Sequence, residues 1–134
     1  MRKSFTIILI CLGFLAVGQE NNLERIVKVW RNEKQICKVV EEIGLSYGRV
    51  KTVIFFSKGL PIKIIETEEN FGYKNDELDY GKLNEVFQAT IYIYDWENDE
   101  SKIEIIGKRV MSEGGCTNVD YEPIIKRAKK STSE

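Results

Sequence analysis

Four stretches of this chain alternate with a period of two: RVKTVIFFS (49–57), IKIIETE (62–68), EVFQATIYIYDW (85–96) and KIEIIGKRV (102–110). That period sends successive side chains to opposite faces of an extended strand, and the short polar connections between the stretches favour antiparallel hairpins. In the first stretch Val53 and Phe55 share one face, while Thr52, Ile54 and Phe56 share the other. KGLP turns it into the second, and ENDES returns the third into the fourth. Two registers are open at that last turn. A two-residue turn at Asn98 and Asp99 sets Tyr94 opposite Ile103 and Tyr92 opposite Ile105, whereas a slip of one residue pairs Ile93 with Ile103.

The remaining segments read differently. ENFGYKNDELDYGKLN, between the second and third stretches, has no apolar period and reads as a long loop or a strand edge with an excursion. Ahead of the strands, Leu23, Ile26, Val27, Trp30, Cys37, Val40 and Ile43 recur at helical spacing. Asn21 with Glu24 forms a capping box, Gly44 closes the far end, and polar Asn32 to Gln35 marks a bend. At the C-terminus Pro123 fits the first turn of a short helix that docks Ile124, Ile125 and Ala128, with Asp120 or a neighbour as its cap. The sequence therefore predicts an α+β domain: an N-terminal helix packed on an antiparallel meander of about four strands, with a short C-terminal helix.

MRKSFTIILICLGFLAVGQE has the charged start, apolar middle and small-residue exit of a secretory signal peptide. Its apolar run of about 13 residues is short of the roughly 20 that cross a bilayer. The expected organisation is a leader over residues 1–18 and a single domain over 19–134, secreted or periplasmic, without a stable membrane span after cleavage. Cleavage takes Cys11 with it and leaves Cys37 and Cys116, which favours one disulfide in an oxidising compartment. A loop of about 80 residues closed that way is worth roughly 4.5 kcal/mol by chain entropy, as an upper figure. Gly114 and Gly115, just before Cys116, allow the backbone to bend into disulfide geometry.

Composition removes whole classes of chemistry. The chain has no histidine, so Ser-His-Asp and Cys-His catalysis, histidine-ligated zinc and a histidine pH switch are excluded. Losing Arg2 and Lys3 with the leader takes two of the 20 basic residues and none of the 21 acidic ones, so the net charge falls from -1 to -3. That mild acidity argues against nucleic acid as a partner. No cofactor motif is present.

Four groups remain as candidate sites. Phe71, Tyr73, Tyr80, Tyr92, Tyr94 and Trp96 cluster around the strands and combine apolar area with polar tips, a set suited to binding a sugar or a peptide. Glu66, Glu68, Glu69, Asp76, Glu77 and Asp79 are the only general acid/base apparatus, and they read as solvated carboxylates. Asp95, Glu97, Asp99 and Ser101 have the alternate spacing of a calcium loop. They lack its glycine at position six and its glutamate at position twelve, where Glu100 and Ile106 stand, and so read as a solvated hairpin tip. Lys126, Arg127, Lys129 and Lys130 read as a solvated helix face.

With its leader, leading helix and meander, the layout resembles small exported single-domain proteins of uncharacterised function. Such helix-on-sheet domains serve as protease-inhibitor, propeptide-like and ligand-binding modules. The expectation is an exported, disulfide-stabilised, non-catalytic domain that contacts a protein, peptide or glycan through an exposed sheet face or the 69–84 segment. The competing readings are a small hydrolase using carboxylates such as Glu66 and Asp79, and an envelope protein anchored by an uncleaved leader.

Overall fold

The computed structural model describes residues 5–11, 24–109 and 121–132, the first of these segments as backbone only. Six strands form one antiparallel meander in chain order: β2 (Arg25–Asn32), β3 (Gln35–Leu45), β4 (Gly48–Ser57), β5 (Leu60–Lys74), β6 (Glu77–Asp95) and β7 (Glu100–Gly107). A further edge strand, β1 (Phe5–Cys11), pairs with β2, and one helix, α1 (Glu122–Thr132), follows the sheet.

The expected N-terminal helix is absent, and the sheet exceeds the expected four strands. Residues 25–45 are the hairpin β2–β3, joined by a tight turn at Glu33 and Lys34 with Glu33 at φ 57°. The polar Asn32 to Gln35 segment, expected to bend a helix, reverses a hairpin instead. Ile26, Val27, Val29, Ile36, Val39 and Val40 are β-branched, and such side chains lose rotamer freedom in a helix but pack well on a pleated surface. Of the expected helix caps, Glu24 lies just before β2, and Asn21 falls outside the described residues, as does Asp120.

The strands expected from Arg49 onward are present. Lys58 and Gly59, at φ 52° and 79°, form the turn between β4 and β5. The β6–β7 turn is longer than expected: Ile91 faces Ile103, Tyr92 faces Lys102 and Ile93 faces Ser101, so neither anticipated register occurs. Trp96 to Asp99 make the reversal, tied by Asn98, whose backbone N–H and side-chain amide both donate to the Asp95 carboxylate at 3.0 and 2.8 Å. The 69–84 segment is not a loop. β5 and β6 continue through it as a two-stranded ribbon that turns at Asn75 and Asp76, both at positive φ.

The register stacks residues into rows across the sheet. On one face Val29, Val39, Ile54, Ile64, Ile91 and Ile103 stand side by side. Helix α1 lays Ile124, Ile125 and Ala128 on this row, with Tyr121 just before it, and together they make the core. Pro123 sits in the first turn as expected. Arg31 fixes the other end of the helix, donating to the Thr132 carbonyl at 3.2 Å and so meeting one of the orphan acceptors of the last turn.

Candidate functional site

The covered face carries charge where alternation alone would place core. Next to the apolar row runs a second one, Val27, Glu41, Thr52, Glu66, Ala89 and Ile105, and beyond it Glu68 lies between Val50 and Phe87. Glu41, Glu66 and Glu68 are all buried, Glu68 completely. Charges removed from water need partners, and three elements supply them. From α1, Arg127 grips Glu41 with two hydrogen bonds of 2.9 and 2.8 Å, and Arg25 of β2 stands 3.9 Å from the same carboxylate. Arg109, just past β7, donates to Glu66 and reaches Glu68 at 3.3 Å while its guanidinium lies 4.1 Å from the Phe87 ring centre. Tyr121 donates its hydroxyl to Glu66 at 3.2 Å.

Gly107 makes the Arg109 contact possible. It adopts φ 78°, and a Cβ there would sit 2.1 Å from the Val86 carbonyl oxygen, so only glycine lets the chain leave β7 this close to β6. Burial and the neighbouring Glu66 carboxylate both push the Tyr121 phenol well above its ordinary range. Tyr47 is displaced the same way by burial and by Glu68, against an opposing pull from Arg109.

These carboxylates act as ties between the sheet, the helix and the chain after β7. Glu66 and Asp79 do not meet: Asp79 is opposite Gly72, six residues further along β5, or about 20 Å. Asp79 instead accepts the Gly81 N–H at 3.0 Å within the ribbon. By sequence alone Glu66, Glu68 and Arg127 read as solvated, and Glu41, Arg109 and Tyr121 do not stand out as candidates. Period two in IKIIETE held the missing signal, because it puts Glu66 and Glu68 on the same face as Ile64.

The six aromatic candidates separate into three places. Phe71 and Tyr80 meet edge to face on the ribbon, ring centres 5.0 Å apart, with Tyr73 nearby and 71% exposed. Tyr92 lies on the helix-free face of the sheet, beside Lys63. Tyr94 is exposed near the end of β6, while Trp96 turns in and packs against the core. They do not form one platform.

The helix-free face holds a different arrangement. Trp30, Lys38, Phe55, Lys63, Tyr92 and Lys102 occupy one cross-strand row, ring alternating with ammonium from β2 to β7. Lys38 Nζ stands 4.8 Å from the Trp30 ring centre and 5.5 Å from that of Phe55, and Lys63 Nζ stands 5.2 Å from Tyr92. At strand spacings of about 4.8 Å the row is roughly 24 Å long, and ammonium groups on alternate strands are roughly 9.6 Å apart. Lys102 also pairs with Glu104 at 2.8 Å. Among the described residues, α1 is the only helix, and it packs on the opposite face.

Cys37 is half-buried at a bulge, the extra residue between Lys38, which faces Trp30, and Ile36, which faces Arg31. It is a free thiol among the described residues. Its expected partner Cys116 lies outside them, as does most of the expected leader; residues 5–11 of that leader are described as β1. No described helix is long and apolar enough to cross a membrane, and no group of three metal-ligating side chains occurs among the described residues. Comparison with known protein families, with curated proteins and with solved structures finds no match.

Proposed function

We propose that this chain is a non-catalytic binding domain, exported and held by a Cys37–Cys116 disulfide, whose working surface is the helix-free face of the sheet. The observation that carries this reading is the ring-and-ammonium row from Trp30 to Lys102. Lysines that lie over aromatic rings are held in place at little cost in freedom, and each such contact is worth about 0.5–1 kcal/mol at an exposed site. A row of positioned ammonium groups suits an extended acidic ligand, a glycan or a peptide. Its charges would repeat at about two strand spacings, roughly 9.6 Å. The hydrolase reading gains nothing from the geometry, because the buried carboxylates are engaged with arginine or tyrosine and Asp79 is remote from them.

The test is capture of the secreted chain on immobilised acidic and neutral polysaccharides and on acidic peptides. Acidic ligands should be retained, more weakly as salt rises. The Lys38→Ala/Lys63→Ala variant should bind roughly tenfold more weakly while staying folded, losing no more than about 1.5–3 kcal/mol of stability with its three ring contacts. Undiminished capture by that variant would contradict the assignment. Non-reducing peptide mapping of the same material should show the Cys37 and Cys116 peptides joined, and an N-terminus beginning after Gly18.

A further inference from the structure

We infer that β7 is a dimerisation edge, and that two copies of this chain pair β7 against β7 in antiparallel fashion about a two-fold axis at Ile103. All eight residues of β7 are exposed, among them Ile103 at 45%, Ile105 at 49% and Ile106 at 67%. Among the described residues β7 pairs only with β6, so its other side presents unpaired backbone donors and acceptors. Helix α1 contacts β2 and β3 and lies over the far end of the apolar row that Ile103 terminates. Natural edges of this kind are blunted by proline, bulges or inward charges. β7 has no proline, and its charges, Glu100, Lys102 and Glu104, fall at alternate positions, with Lys102 in the row of the helix-free face.

The charge pattern of β7 selects both the partner and the register. Lys102 and Glu104 flank Ile103 symmetrically. Antiparallel pairing centred on Ile103 sets Lys102 of each copy opposite Glu104 of the other and packs Ile103 against its own counterpart. Shifting the centre to Glu104 opposes two glutamates, and shifting it to Lys102 opposes two lysines. Opposite charges across a ladder stabilise it and like charges destabilise it; a centre at Ser101 also sets Lys102 opposite Glu100 but leaves residues 103–107 without partners in β7, so the Ile103 centre satisfies the most of the strand against a copy of itself. In that register the apolar row of one sheet continues into that of the next. The pairing is isologous and therefore closes as a dimer.

Sedimentation of the purified chain over a concentration series tests this. The expected species is twice the monomer mass at high concentration. Lys102→Glu and Glu104→Lys, each alone, oppose like charges on both sides of the axis and should raise the dimer dissociation constant roughly tenfold or more. The double variant Lys102→Glu/Glu104→Lys restores both pairs and should dimerise like the unaltered chain, with circular dichroism unchanged throughout. A monomer at every attainable concentration would overturn the inference. So would a dimer that tolerates both single reversals, or an assembly that grows without limit through pairing of β7 with the opposite edge.

Discussion

Glu41 and Glu42 are neighbours in β3, yet one is buried and clamped while the other is partly open to solvent. Glu41 points to the helix side, has 2% of its side chain exposed and is clamped by Arg127. Glu42 points the other way, is 20% exposed and stands 3.9 Å from Lys51, with Arg49 also within its electrostatic reach. The contrast extends over the two faces of the sheet. The covered face spends its charges internally, joining the strands to α1 and to the segment after β7. On the helix-free face Lys38 and Lys63 lie over aromatic rings, and Lys63 is within electrostatic reach of the exposed Glu104. Position on a pleat, rather than residue type, decides whether a charge here is buried and tied to the helix or left at the surface.

The largest effect that would break this contrast comes from opening the covered face. Arg127→Met removes the principal partner of a buried carboxylate and should destabilise the fold by roughly 2–4 kcal/mol. That is at or below the usual figure for a buried pair, because Arg127 is 27% exposed and Arg25 remains near Glu41. Urea denaturation measures it, and adding Glu41→Met should recover much of the loss, since a well-packed apolar pair can replace a buried ionic one.

A smaller effect is expected at alkaline pH. The Tyr121 phenol is raised in the folded state, so above about pH 10 the unfolded chain loses this proton while the folded chain keeps it. Stability should be fully present below that pH and fall as pH rises beyond it. Tyr121→Phe, less stable at neutral pH for want of the Glu66 hydrogen bond, should show a shallower alkaline decline in thermal melts. A decline identical to that of the unaltered chain would remove Tyr121 from the account. The smallest effect belongs to the other face, where Lys38→Ala should lower stability by no more than about 1–2 kcal/mol, the worth of its two ring contacts.

From Arg49 to Glu68 and from Glu85 to Gly107 the sequence is legible because one period dominates, whereas the ribbon over 69–84 lacks that period and reads as a loop. Thr52, Ile54 and Phe56 share the buried face, and Val53 and Phe55 the other, as the alternation requires. The C-terminal helix was equally readable, down to Ile124, Ile125 and Ala128 as its buried side. The 25–45 segment misleads because both faces of β2 and β3 carry apolar side chains. The adjacent pairs Ile26–Val27 and Val39–Val40 imitate the doublets of an amphipathic helix, although the hairpin sends one member of each pair to either face. The ladder from Trp30 to Lys102 draws one residue from each of six strands, so it becomes visible only once register is known. Aromatic clustering in the chain suggested a surface but found only Tyr92 of this row.

Labelling of carboxylates by a water-soluble carbodiimide and an amine, read by peptide mass spectrometry on the native chain, tests the division of the two faces most directly. Glu42 and Glu104 should be modified, while Glu41, Glu66 and Glu68 stay protected until denaturant is added. Equal modification of Glu41 and Glu42 under native conditions would contradict it.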